Sequence, residues 1–415
     1  MSQNRIYLCL AHMSGEEQKF IQEAFDTNWV VPLGPNVNGF EAELEAFVGE
    51  GKSVVALSAG TAAIHLALIA CGVGHGDEVI CQSFTFCASA NPVTYLGATP
   101  IFIDSERDTW NMDPQLLEEA IVDRIAKTGK KPKAIIPVYL YGMPAKIDEI
   151  IAIGKKYDIP IIEDAAEGFG SKYNGQVCGT FGKFGVLSFN GNKMITTSGG
   201  GALICDDKES KNNIMFYATQ AREAYPYYQH EHIGYNYRMS NICAGIGRGQ
   251  MTVADEHIAH HKHLCQLYEE LLQDVDGVTL HKNPSSRYDS NYWLNTVLLD
   301  PSLKVAGQEM AYSTAVQGAV GGAAGVTHAA ESLHTDCEPN TNVEAMRVAL
   351  DKAGIEARPL WKPMHKQPVF ATAPAYVNGV SEELFKCGLC IPSGPCVTDD
   401  DARYIVEQIT ANIIR

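Results

Sequence analysis

No apolar run in the 415 residues approaches the ~20 residues that a bilayer-spanning helix needs. Positive charge is also scarce. Thirty-two Lys and Arg stand against 49 Asp and Glu, a formal net charge of −17, which argues against a nucleic-acid or anionic-membrane surface. An anionic small substrate stays open, because it needs only a few local cations. The opening Met1-Ser-Gln-Asn-Arg-Ile6 lacks the hydrophobic segment of a signal peptide. The 12 cysteines have no framework spacing, as suits a reducing compartment, so a cytoplasmic protein is expected.

What is present is a rhythm of short apolar runs separated by helical patterns. Strands are expected at Ser53–Leu57, Glu78–Cys81, Pro100–Ile103, Ala134–Tyr139, Pro160–Glu163, Val186–Phe189 and Ala202–Cys205. Such alternation predicts an α/β fold with a mostly parallel sheet covered by helices. A helix is expected at Glu16–Phe25, and a long helical pattern runs from about Ala244 to Leu272. A strand at Trp293–Leu299 and helices near Asn342–Ala353 and Asp399–Ile413 read as a smaller α/β unit. Length allows both, with a division expected at 1–255 and 256–415. The stretch from Gln308 to about Asn340 is rich in Ala and Gly and reads as an insertion without a functional account.

Three patterns invite functional readings that their context does not support. His257, His260, His261 and His263 share one helical segment but have no acid or cysteine set beside them, so a solvated helix face is expected. Cys387 and Cys390 form a lone CxxC without a second pair at zinc spacing. Gly245, Gly247 and Gly249 lie inside a helical pattern and follow no strand, so they are no dinucleotide loop.

The segment Ser188-Phe-Asn-Gly-Asn-Lys193-Met-Ile-Thr-Thr-Ser-Gly-Gly-Gly201 is different. It sets one lysine between two apolar strands, where an unpaired ammonium is costly. A lysine in a partly desolvated pocket loses its proton more easily and can form a Schiff base with an aldehyde. Upstream, Ile161-Ile-Glu-Asp164-Ala-Ala-Glu167 ends a buried strand in carboxylates. An aspartate beside a pyridinium nitrogen is the partner that makes pyridoxal phosphate an electron sink. Ligands in such sheets collect at the carboxyl ends of strands, where Thr61, Phe86, Asp164 and Ser188 all fall.

Eight segments in order carry a resemblance. They are Leu33-Gly-Pro35 with Phe40-Glu41, Ser58-Ala-Gly-Thr61-Ala-Ala63, Ser83-Phe-Thr-Phe86, Gly97-Ala-Thr-Pro100, Glu163-Asp164-Ala-Ala, the lysine segment, Gly234-Tyr-Asn236-Tyr-Arg238-Met-Ser240 and Arg358-Pro-Leu-Trp361. Over nearly its whole length the chain resembles the fold-type I pyridoxal-phosphate enzymes of the DegT-type sugar-nucleotide aminotransferase family. Its Asn190-Gly-Asn-Lys193 is similar to the branch that aminates UDP-4-keto-6-deoxy-N-acetylglucosamine for bacillosamine-type bacterial glycans. Two rivals are a pyridoxamine-phosphate sugar dehydratase of the same fold, in which a His replaces the lysine, and a non-catalytic regulatory protein on this scaffold.

The resemblance implies that Lys193 holds pyridoxal 5′-phosphate and carries protons, and that Asp164 pairs with its ring nitrogen. Gly60, Thr61 and Ala62, at a helix N-terminus, and Ser188 would hold the phosphate. Phe86 would stack on the ring. Glu167 stands where relatives often carry Gln or His beside the phenolic oxygen, which leaves two readings: protonated, or turned toward substrate. Asn236 would reach the phosphate from a neighbouring subunit, implying a homodimer with shared sites. Trp29, Arg238, Arg358, Trp361 and His365 are the substrate candidates, with Arg238 equally open to a structural role. The amino donor implied is L-glutamate, and no metal is expected.

Overall fold

The computed structural model describes residues 5–312 and 337–414. Two four-stranded ladders join through parallel bridges Ile135↔Ile161 and Val138↔Asp164. Together they run in the order Ser53–Leu57, Gly201–Cys205, Phe184–Ser188, Ile162–Asp164, Ala134–Ile136, Glu78–Gln82, Thr99–Ile103 and Ala375–Tyr376. Gly201–Cys205 runs antiparallel to both neighbours, and every other pairing is parallel. Strands such as Ser53–Leu57 are buried throughout, which explains their unbroken apolar sequence: a strand covered on both faces has no solvent side.

The flanking helices carry their own start and stop signals. In Pro114–Thr128 the Asp113 side chain accepts from the amides of Gln115 and Leu116, Pro114 occupies the first turn, and Gly129 closes in the left-handed region at φ 70°. Ile147–Tyr157 has Asp148 and Glu149 in its first turn and Lys155 and Lys156 in its last, matching the helix dipole. Asp399–Ala411 begins with a Thr398/Asp401 capping box.

A second sheet, wholly antiparallel, orders Val278–Leu280, Asn295–Leu299, Gly388–Ile391 and Arg358–Pro359. Leu264, Tyr268, Val297, Met346, Leu389 and Ile405 form its core with the helices Ala254–Leu272, Thr341–Lys352 and Asp399–Ala411. The chain crosses the 255/256 position in both directions. Ile6 pairs with Ile355, and Ala375–Tyr376 extends the large sheet beside Phe102 and Ile103.

Some expectations need correction. The long helical pattern is two helices, Asn241–Met251 and Ala254–Leu272, broken at Thr252 and Val253. The histidine face is solvated only in part: His263 is exposed and His260 half-buried, but His257 and His261 are buried, with Nδ1 atoms 3.2 and 3.0 Å from the carbonyls of Met194 and Tyr292. His260 and His263 bond Val397 and Asp399. Of the Ala/Gly-rich insertion, residues 313–336 lie outside the described residues. Among the described residues no helix is long and apolar enough to cross a membrane.

Candidate active site

Strand ends meet at one cavity of about 260 Å³. Asp164 and Ser188 close their strands, the Gly60–Ala70 helix begins just beyond Ser53–Leu57, and Phe86 follows Glu78–Gln82. Gly60, Thr61, Phe86, Asp164, Glu167, Ser188, Lys193, Trp293 and Trp361 all line it. A larger cavity, about 890 Å³, lies against Met310, Ala345 and Tyr404 and contains none of the sequence-predicted site residues.

Lys193 sits in a tight turn, its amide donating to the Asn190 carbonyl at 3.0 Å. Its Nζ lies 3.2 Å from Glu167 Oε1 and 4.1 Å from the centroid of the Trp293 ring. The Trp293 indole N–H donates to the Asn192 carbonyl at 2.6 Å, so the residue that faces the lysine also grips its neighbour. Glu167 is held from behind as well. Its Oε2 accepts from the Tyr141 amide at 2.7 Å, and Tyr141 occupies the left-handed region at φ 54°, an unfavourable conformation for a non-glycine residue. Burial pushes Glu167 up to about 7, against the lowering influence of Lys193 and the Tyr141 amide.

Asp164 is almost out of solvent. The Ser89 hydroxyl donates to its Oδ2 at 2.6 Å and the Ala166 amide to its Oδ1 at 3.2 Å. Burial is the largest influence and raises its pKa; Ser89 opposes it. At the other side of the cavity, Ala59 precedes the Gly60–Ala70 helix in extended conformation and offers no side-chain cap. The first amides of a helix have no intrahelical acceptors, so this terminus is a natural anion cradle. Packing there is close: a Cβ on Gly201 would lie 2.3 Å from the Gly60 nitrogen, and one on Gly60 would meet Ser188 Cβ at 3.3 Å.

The profile of the DegT/DnrJ/EryC1/StrS aminotransferase family matches residues 11–323 and 323–410. The chain belongs to that family. It is 45% identical over 409 residues to a putative pyridoxal phosphate-dependent aminotransferase, EpsN, of Bacillus subtilis (strain 168), covering 98% of this chain and 95% of that one. It is 33% identical to a GDP-perosamine synthase of Escherichia coli O157:H7, covering 96% and 95% of the two chains. The crystal structure of a family aminotransferase from Brucella abortus superposes with a TM-score of 0.81 at 26% identity, over 96% of this chain and 95% of that one. The protein is therefore a pyridoxal-phosphate-dependent sugar aminotransferase that acts on nucleotide sugars.

The cavity fits this cofactor on its own chemistry. It offers a lysine amine, a buried carboxylate across from it, an aromatic ring and an uncapped helix terminus, which match an aldehyde, a ring nitrogen, a ring face and a phosphate. Ala62 is buried in the same helix and does not itself line the cavity.

Most of the substrate candidates lie elsewhere. Arg238 Nη1 is 2.6 Å from Glu41 Oε1, with both side chains nearly buried. Glu41 also accepts the Ala56 amide at 2.9 Å, so Arg238 neutralises a buried carboxylate. Arg358 lies 2.9 Å from Glu356 on an edge strand of the second sheet. His365 Nδ1 is 2.7 Å from Ser83 Oγ. Trp29 is half-exposed, and its carbonyl accepts from the Asn241 side chain at 2.9 Å. Only Trp361 of this set lines the cavity. Asn236 is exposed and bridges Thr219, outside the cavity of its own chain.

Four residues join the site that sequence reasoning passed over: Thr85, Ser89, Tyr141 and Trp293. Trp293 lies a hundred residues from Lys193 and carries no motif. Thr85 lies inside the quoted Ser83–Phe86 segment, with Ser89 three residues beyond Phe86, and their hydroxyls beside the stacking candidate were the available signal.

Proposed function

We propose that this aminotransferase moves an amino group from L-glutamate to the 4-keto carbon of a UDP-linked 6-deoxy-N-acetylglucosamine, for a bacterial glycan. The observation that carries the reading is Lys193, whose ammonium faces a cavity walled by Asp164, Glu167 and the start of the Gly60–Ala70 helix. The sugar itself rests on the Asn190-Gly-Asn-Lys193 resemblance. The 33% identical GDP-perosamine synthase favours a second reading, a GDP-linked keto sugar.

Bound pyridoxal phosphate supplies an aldehyde that condenses with primary amines and a protonated ring that withdraws electrons. The chain's own groups do the rest. Amides of Gly60, Thr61 and Ala62 with the Ser188 hydroxyl would hold the phosphate, and Phe86 would cover one ring face. Asp164 would accept the ring N–H, and Glu167, 3.2 Å from Lys193 Nζ, would stand on the lysine side of the ring. Lys193 Nζ would take and return the proton at the amino donor's α-carbon. Trp361 meets the sugar. Asn236 completes the phosphate site of a second copy in a cytoplasmic homodimer. We place the division into a larger and a smaller unit near residue 255, beside the Thr252–Val253 break.

Borohydride reduction of the purified yellow protein should fix the cofactor on a peptide containing Lys193; a label on any other lysine sinks the assignment. Lys193→Ala should cut turnover by several orders of magnitude while still binding cofactor. Assay with glutamate against UDP- and GDP-linked keto sugars, with and without an N-acetyl group, decides the substrate. Turnover of a GDP sugar alone would replace the UDP reading and keep the chemistry.

A further inference from the structure

Two hydroxyls stand behind Asp164 that the proposed chemistry does not use. Ser89 ends the short turn Cys87–Ser89, and Thr85 lies four residues before it on the same connection. Both are shut away from solvent, at 0% and 1% exposure. Ser89 Oγ lies 2.6 Å from Asp164 Oδ2 and 2.7 Å from Thr85 Oγ1. An ionised carboxylate only accepts, so the one Ser89 proton goes to Asp164, and Thr85 must donate to Ser89. The bonds therefore run in one direction, from Thr85 through Ser89 to Asp164.

This fixes the carboxylate. Oδ2 is held by Ser89 and Oδ1 by the Ala166 amide, which leaves the remaining lone pairs for the cavity that Asp164 lines. We propose that Ser89, backed by Thr85, is a positioning residue for Asp164, fixing the rotation of the carboxylate so that a free lone pair meets the cofactor's ring nitrogen. The proposal rests on the reading that Asp164 accepts the ring N–H. Electrostatics support it: burial raises the Asp164 pKa, and the Ser89 bond is the strongest influence holding it down, ahead of the Ala166 amide and the Lys193 charge. The same connection carries Phe86 into the cavity wall, and the Thr85 amide donates to the Ser83 carbonyl at 3.0 Å. One short segment thus sets both the ring-stacking group and the partner of the ring nitrogen.

The test uses purified protein reconstituted with pyridoxal phosphate and four variants: Ser89→Ala, Ser89→Thr, Thr85→Val and Asp164→Asn. Two quantities are read besides turnover: cofactor affinity by absorbance titration of the apoprotein, and the pH midpoint of the bound cofactor's absorbance bands. Ser89→Ala should bind the cofactor about tenfold more weakly, the scale of a lost hydrogen bond to a charged group. Its midpoint should move the same way as in Asp164→Asn, by less. Thr85→Val should move it less again, and Ser89→Thr should restore the wild-type profile. If Asp164→Asn shifts both readings while Ser89→Ala shifts neither, the positioning role is wrong and the Asp164 reading stands. If Asp164→Asn itself leaves the wild-type profile, the Asp164 reading has failed. Should Ser89→Ala not fold, Thr85→Val decides: an unchanged profile in that variant overturns the relay.

Discussion

Glu167 shows what a single buried carboxylate does beside a lysine. Its pKa is raised to about 7, chiefly by burial, from an ordinary value of 4.5. A group that holds its proton more tightly when folded adds stability below about 4.5, and loses that contribution as pH rises through about 7. The unliganded protein should therefore lose up to about 3 kcal/mol from this group between pH 4.5 and 7.5. Glu167→Gln keeps an acceptor for the Tyr141 amide and removes the titration, so its stability curve should be flatter over that window. Urea unfolding of the apoprotein at pH 5 and 7.5 measures the difference, and parallel wild-type and variant curves would refute the assignment. Glu167 itself was legible because it follows Asp164 by three residues. What holds it was not: the Tyr141 amide depends on a left-handed φ at a bulky residue, and no propensity rule assigns one there. Ser89 was hidden for another reason. A buried serine 75 positions from its partner looks like any core hydroxyl until the fold brings the turn Cys87–Ser89 to the end of the Asp164 strand.

Elements were easier to read than their contacts. Ser53–Leu57 matches its sequence-derived bounds, and Gly201–Cys205 differs by one residue, because unbroken apolar runs between turn residues leave a buried strand little choice. The sequence pattern could not show that Gly201–Cys205 runs against its neighbours, since pairing direction leaves no mark on a strand buried on both faces. Nor did it show the break at Thr252–Val253, where no Pro or Gly marks the end; the Thr252 hydroxyl turns back to the Gly249 carbonyl at 2.6 Å. Gly201 makes a sharper point at this scale. It opens its strand against the start of the Gly60–Ala70 helix, and an added Cβ would lie 2.3 Å from the Gly60 nitrogen and 2.4 Å from the Ala59 carbonyl carbon. Backbone cannot yield as a side-chain tip does, so Gly201→Ala must push the helix terminus away. The expected cost is about 1–3 kcal/mol of stability, with weakened binding of both the cofactor and inorganic phosphate. Equal phosphate competition in variant and wild type would show that this terminus is not the anion cradle.

At the scale of the whole molecule, the residue proposed to complete the phosphate site is in the wrong place for a single chain. Asn236 is exposed, bridges Thr219, and does not line the cavity of its own chain. The surface around its segment is apolar to a degree that a solvated face does not need: Tyr227, Tyr228 and Ile233 are 60%, 78% and 84% exposed. Phe86, at the cavity itself, is 55% exposed. Exposed aromatic and aliphatic groups in such number mark an interaction surface, and a net charge of −17 makes nonspecific self-association unfavourable. A two-fold dimer that brings each Asn236 to the partner's Gly60 helix satisfies both facts. In such a dimer Lys193→Ala and Asn236→Ala are each inactive alone, because every site lacks one group. Mixed dimers hold one doubly defective site and one intact site. An equal mixture, unfolded and refolded together to exchange subunits, should then recover about a quarter of wild-type activity per chain. Sedimentation should show a dimer for wild type and both variants. A mixture that stays inactive, while each variant still binds cofactor and dimerises, would place Asn236 at its own chain's surface and leave the cavity complete within one subunit.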